Sequence, residues 1–283
     1  MTLPWVRLNS WPQWSTALRD RVYITNLRGH VKPTATHEQA AIQRRDQMHE
    51  MMKDVLRLEA MPMWYASVVH RFSMISTKEY ESPKVYEAVL RAKSINDEVK
   101  KGSKAIAQIK GFNLVPVGAR VNQVEVMPAK LAERVMGFPD GHTLYCGRPK
   151  ARREALGNSV DVRTIEYLLS PLPTYPRVQQ AMARGVGITV FSVCDGIGGI
   201  PLAIQNVLTR ADESYEGIRK LVVWEIDEDR TECVKHWWTD ILKKPVKNFV
   251  NEGSLTTCEA YHNRNEMIKL CKRHGFPHAT VGG

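Results

Sequence analysis

The chain has 283 residues, 43% hydrophobic and 25% charged, ordinary for a globular protein and long enough to bury a sizeable core. No apolar run approaches about 18 residues, and the first residues lack the order of a secretory signal, so neither a spanning helix nor a leader is expected. The formal charge of +10 favours a polyanionic partner without naming it.

Residues 1–29 are rich in tryptophan and arginine and close on a strand-like Arg21-Val22-Tyr23-Ile24. Residues 30–110 are polar and helical in pattern. Thr36 with Gln39 reads as a capping box ahead of Ile42, Met48, Met51, Met52 and Val55, a spacing that predicts one buried helix stripe. The methionines are core fillers in this reading, not ligands. A second helix is expected after Pro83, through Val85, Val89 and Ile95, stopping near Gly102; its Lys100, Lys101 and Lys104 form a solvated face.

From residue 111 the pattern turns to strand, helix, strand. Phe112 to Val117 predicts a short strand with Pro116 at an edge. Pro128 opens a helix through Leu131 and Val135 that Gly137 ends. A buried strand is expected at 188–193, then a glycine turn, then a helix from Gly199. Another buried strand covers Leu221-Val222-Val223-Trp224. This alternation predicts half of an open α/β sheet. The five cysteines, Cys146, Cys194, Cys233, Cys258 and Cys271, show no C-x-x-C pair and no zinc-like spacing with histidine, so a reduced chain without a metal site is expected.

The turn Cys194-Asp195-Gly196-Ile197-Gly198-Gly199 carries the chemistry. Glycines let a backbone approach a ligand, and a helix opening there offers unpaired N–H donors. About 25 residues on, Glu225 ends the next apolar strand, where a carboxylate can accept hydrogen bonds from both ribose hydroxyls of a nucleotide. A purely structural turn is the competing reading. The turn lacks the third glycine of a dinucleotide fingerprint, so it suits a ligand with adenine and ribose but no phosphate bridge. S-adenosyl-L-methionine fits that description.

Several blocks together resemble the DNA cytosine carbon-5 methyltransferases. Residues 191–199 resemble their first, glycine-rich motif, and Trp224-Glu225-Ile226-Asp227 their ribose-holding motif. Asn251-Glu252-Gly253-Ser254-Leu255 resembles the block whose acid receives the adenine amino group, and Leu156-Gly157-Asn158-Ser159-Val160 the block that closes over the methionine end. Residues 15–27, with Arg19 and Arg21, resemble the arginine motif beside a flipped base, and residues 133–139 the segment before the Gly-Asn-Ser block. Here Gly157-Asn158-Ser159 precedes the glycine turn, and this permuted order resembles the domains rearranged subfamily of plants.

The resemblance implies an α/β, Rossmann-like methyltransferase sheet, circularly permuted, with a smaller target-recognition lobe. Its arginine-motif segment would be 1–29, its target-recognition region 30–110 and its cofactor part 111–283. It implies S-adenosyl-L-methionine held by Cys194, Asp195, Gly196, Ile197, Gly198, Glu225, Ile226, Glu252, Asn158, Ser159 and Val160. DNA would be the substrate, with Arg19 and Arg21 on its base and phosphate side, in the nucleus and in RNA-directed DNA methylation. The family's catalytic cysteine and glutamate fall outside 1–283 in this alignment, so no catalytic residue is assigned and the chain alone is expected to be inactive. Cys194 stands where the family has phenylalanine and His278 where it has aspartate. Those departures leave room for a non-catalytic regulator that pairs with an active relative, as a homodimer or heterodimer. A methyltransferase of RNA or small molecules is disfavoured by the motif order.

Overall fold

The computed structural model describes residues 36–59, 127–193 and 196–254, some short strands earlier in the chain, and Lys269, Lys272 and Arg273. The early strands are β1 (Trp5–Asn9), β2 (Ala17–Leu18), β3 (Asp20–Ile24), β4 (Phe72–Ser73), β5 (Leu114–Pro116) and β6 (Val124–Val126). They pair as β1 with β3 and β5 with β6, both antiparallel, and β2 with β4, parallel. The helix expected after Pro83 lies outside the described residues.

Helix α1 (His37–Leu56) starts where the capping box predicts. The Thr36 hydroxyl accepts from the Gln39 N–H at 3.2 Å, and the Gln39 side chain accepts from the Thr36 N–H at 3.0 Å. Met48 and Met52 are fully buried, with Met51 and Val55 packed beside them. Ile42, expected in that stripe, is instead 47% exposed. Six residues at helical pitch rotate it ~120° away from Met48, so it sits on a different face.

Helix α2 (Ala129–Val135) follows Pro128, which takes the cap position in extended backbone rather than the first helical turn. Gly137, at φ 82°, ends it: left-handed backbone lets the N–H of Phe138 reach the carbonyl of Glu133 at 2.8 Å. Helices α3 (Pro149–Asn158), α4 (Val162–Leu169) and α5 (Pro176–Ala183) then lead into the sheet.

The sheet has three parallel strands in the order β7 (Ile188–Val193), β8 (Ile218–Trp224), β9 (Phe249–Asn251). Helix α6 (Gly199–Ala211) joins β7 to β8, and α7 (Glu228–His236) leads from β8 toward β9. The chain is therefore a mixed α/β protein. Central β8 is buried from Leu221 to Trp224, as its unbroken apolar run predicts. β7 departs from expectation: Val190 and Ser192 are buried, but Val193 is 43% exposed. Among the described residues β7 has one strand neighbour, and its end opens onto the cavity described below.

One core joins these parts. Met48 and Met52 of α1, Leu131 and Val135 of α2, Leu156 of α3 and Val190, Leu221 and Val223 of the sheet belong to a single cluster with Trp237 and Trp238. That cluster packs the helices against the sheet. No described helix is long and apolar enough to cross a membrane.

Candidate cofactor site

Three parallel strands ending together present three chain turns side by side, the usual place for a ligand in an open α/β sheet. After β7 the backbone turns on Gly196 (φ 58°) and Gly198 (φ 78°), and Gly198 caps α6 in the left-handed region. A side chain at Gly196 would meet nothing within 4 Å, so the turn faces open space. Gly199 is the reverse case. A Cβ there would lie 2.6 Å from Cγ2 of Val160 and 3.3 Å from Phe138. The 156–160 block thus packs directly on the first turn of α6.

After β8 comes Glu225, 9% exposed. Its Oε2 accepts from the N–H of Gly196 at 2.8 Å, and its Oε1 from the N–H of Asp227 at 3.1 Å. The carboxylate therefore ties the glycine turn to the end of the neighbouring strand. A carboxylate offers about four lone-pair sites, so two bonds leave acceptor capacity for a ligand. After β9 the Asn251 amide donates to the Glu225 carbonyl at 2.9 Å and to the Thr231 hydroxyl at 3.1 Å. Its Oδ1 accepts from the Gly253 N–H at 2.9 Å. One side chain thus aligns two strand ends.

These turns enclose a cavity of about 560 Å³, within the ~300–1,000 Å³ typical of small-molecule pockets. Of the residues singled out from sequence, Asn158, Ser159, Val160, Gly196, Ile197, Glu225 and Ile226 line it. Gly198 does not; it shapes the turn from behind, buried. Glu252 is also absent from the lining: its carboxylate lies 3.7 Å from the Arg273 guanidinium, while its neighbours Gly253 and Ser254 form the wall. Cys194, Asp195, Arg19 and His278 lie outside the described residues. Arg21 is placed only as backbone in β3, paired with Leu8.

Trp224 and Asp227, quoted in the ribose-holding block but given no cofactor role there, also line the wall, and sequence reading missed Arg230. Trp224 is 3% exposed, and its indole N–H is buried without a hydrogen-bond partner. Asp227 caps α7 by accepting from the Arg230 N–H at 3.1 Å, and its other oxygen lies 3.2 Å from the Arg230 guanidinium. Their place just past the end of β8 was the available signal. A second cavity of about 430 Å³ adjoins the first across Glu225, Ile226, Gly253 and Ser254.

His142 was also missed. Its imidazole, 2% exposed, lies 2.6 Å through Nε2 from the Ile197 carbonyl, inside the glycine turn. A carbonyl only accepts, so Nε2 carries the proton, and buried Nδ1 has no partner. Burial holds its pKa down to about 4, against the smaller upward pull of that carbonyl. The neutral ring pins the turn from below.

No protein-family model matches the chain, and no curated protein matches it. No group of three or more histidine, cysteine or acidic side chains that could hold a metal occurs among the described residues. Neither Cys146 nor Cys233 lines the cavity. The site is thus a cleft of small-molecule size in which the Glu225 carboxylate stands among both apolar and polar side chains.

Proposed function

We propose that the cavity binds S-adenosyl-L-methionine and that the chain is a DNA cytosine carbon-5 methyltransferase of the domains rearranged type, with a circularly permuted Rossmann-like sheet. The observation that carries this reading is the 2.8 Å bond between the Gly196 N–H and Glu225, which puts the glycine turn and the strand-end acid on one ligand space. The contact of Val160 with Gly199 adds support, because the permuted order requires the Gly-Asn-Ser block to return to the turn that follows it.

The lining fits the group. Glu225 accepts from ribose hydroxyls with the lone pairs its backbone donors leave open. Ile226, 75% exposed, offers an apolar face for adenine, and Val160 and Ile200 cover the other side. Ser159 and Asn158 present polar groups toward the amino-acid end. The bound cofactor would supply an electrophilic methyl group. Duplex DNA is the proposed methyl acceptor, in keeping with the charge of +10, and the nucleus the proposed location.

The test is calorimetric titration of the chain with S-adenosyl-L-methionine, with NAD as the competing nucleotide class. Saturable binding of the former alone is expected. A folded chain that takes up NAD, or neither, overturns the proposal.

A further inference from the structure

The feature the cofactor reading leaves unused lies behind the cavity wall. Cys146 ends the tight turn Leu144–Cys146, and Cys233 sits in α7. Both are free thiols, 4% and 0% exposed, and their sulfurs are 3.3 Å apart although 87 residues separate them in sequence. A disulfide needs ~2.05 Å between sulfurs, so the two sulfurs must approach by a little over an ångström to close the bond. The element carrying Cys233 also carries Arg230 to the cavity wall, and Asp227 caps it.

We propose that Cys146 and Cys233 form a redox-active pair that hydrogen peroxide oxidises to an intramolecular disulfide, strapping α7 to the segment before α3. The inference does not rest on the cofactor reading. The Cys233 thiol hydrogen-bonds Cys146, which pulls the Cys146 pKa down and pushes that of Cys233 up. Cys146 is also the sulfur that keeps some exposure, 4% against 0% for Cys233, and that geometry makes it the attacking one. Its thiolate attacks one peroxide oxygen, the O–O bond breaks, and the other oxygen leaves as water after taking a proton. The Cys233 thiol then attacks the sulfenic sulfur, the S–S bond forms, and a second water leaves. Two thiols are oxidised and one peroxide is reduced to two waters. Cys146 follows the exposed Leu144 and Tyr145 in the chain.

The experiment treats the folded wild-type chain with graded hydrogen peroxide, alkylates the remaining thiols, and maps non-reduced peptides by mass spectrometry. A peptide joining Cys146 to Cys233 is expected, lighter by about 2 Da than the sum of its reduced parts and released by dithiothreitol. The oxidised chain should melt on the order of 5 °C higher, because the closed loop is long. Cys233→Ala should abolish both changes and leave Cys146 as a sulfenic acid that dimedone captures. Recovery of both cysteines separately alkylated, of Cys146 over-oxidised without a link, or of a link to another cysteine overturns the proposal.

Discussion

Glu225 shows how one side chain can serve two roles. It accepts two backbone N–H groups and still faces the cavity, so its loss should act on ligand and turn together. Glu225→Ala is expected to cost on the order of 1.5–3 kcal/mol of S-adenosyl-L-methionine binding, the value of charge-assisted hydrogen bonds. Calorimetry beside circular dichroism checks this, and unchanged affinity in a folded variant would remove the ribose assignment. His142 makes a pH prediction. Its folded pKa, about 4, lies below the ordinary 6.5. The unfolded chain therefore binds the proton more readily, and the stability from burying the neutral ring is complete above about pH 6.5 and lost as pH falls toward 4. Between pH 7 and 5 this contribution should fall by roughly 2 kcal/mol, at 1.36 kcal/mol per pH unit. Urea midpoints at both pH values should show it, and His142→Gln should remove that part of the slope.

The elements hold the site through a few close contacts. Glu133 of α2 is fully buried and satisfied: it accepts from the N–H groups of Gly141 and Thr143, both at 2.8 Å, and from Arg152 of α3 at 2.9 Å. This carboxylate folds the segment that delivers His142 to the turn. Glu133→Ala should destabilise the chain by about 3–5 kcal/mol, because Arg152 and two backbone donors lose their partner. An unfolding free energy from urea titration lowered by under about 1 kcal/mol would contradict that account. Gly199 sets two effects against each other. Alanine at the start of α6 gains up to about 1 kcal/mol of helix propensity. Overpacking against Val160 costs about 1–3 kcal/mol. The second should win, so Gly199→Ala is expected to be destabilising and to recover when Val160→Ala makes room. Thermal melts of the single and double variants decide it.

At the scale of the whole molecule, one cluster joins α1, the helices and the sheet, so cavity and core are not separable parts. Much of this was legible in the sequence for local reasons. The Thr36 capping box, the end of α2 at Gly137 and the apolar strand 221–224 each rest on a signal within a few residues. The glycine turn and Glu225 were legible too, because backbone freedom and a strand-end acid are local facts. The exposed end of β7 at Val193 was not, since an apolar run does not say whether its last residue meets a neighbour or a cavity, whereas the spacing of Ile42 from Met48 already placed it on another face.

Sequence by itself therefore determined helices α1, α2 and α6, strands β7 and β8, the turn that demands glycine and the acid at the end of β8. Only the tertiary structure decided that Glu225 bonds Gly196, that Val160 closes on Gly199, that His142 buttresses the turn and that Cys146 meets Cys233. The physical reason is separation along the chain. Each of those contacts joins residues far apart in sequence, and their distance is set by the packing of the shared core rather than by any local preference of the backbone.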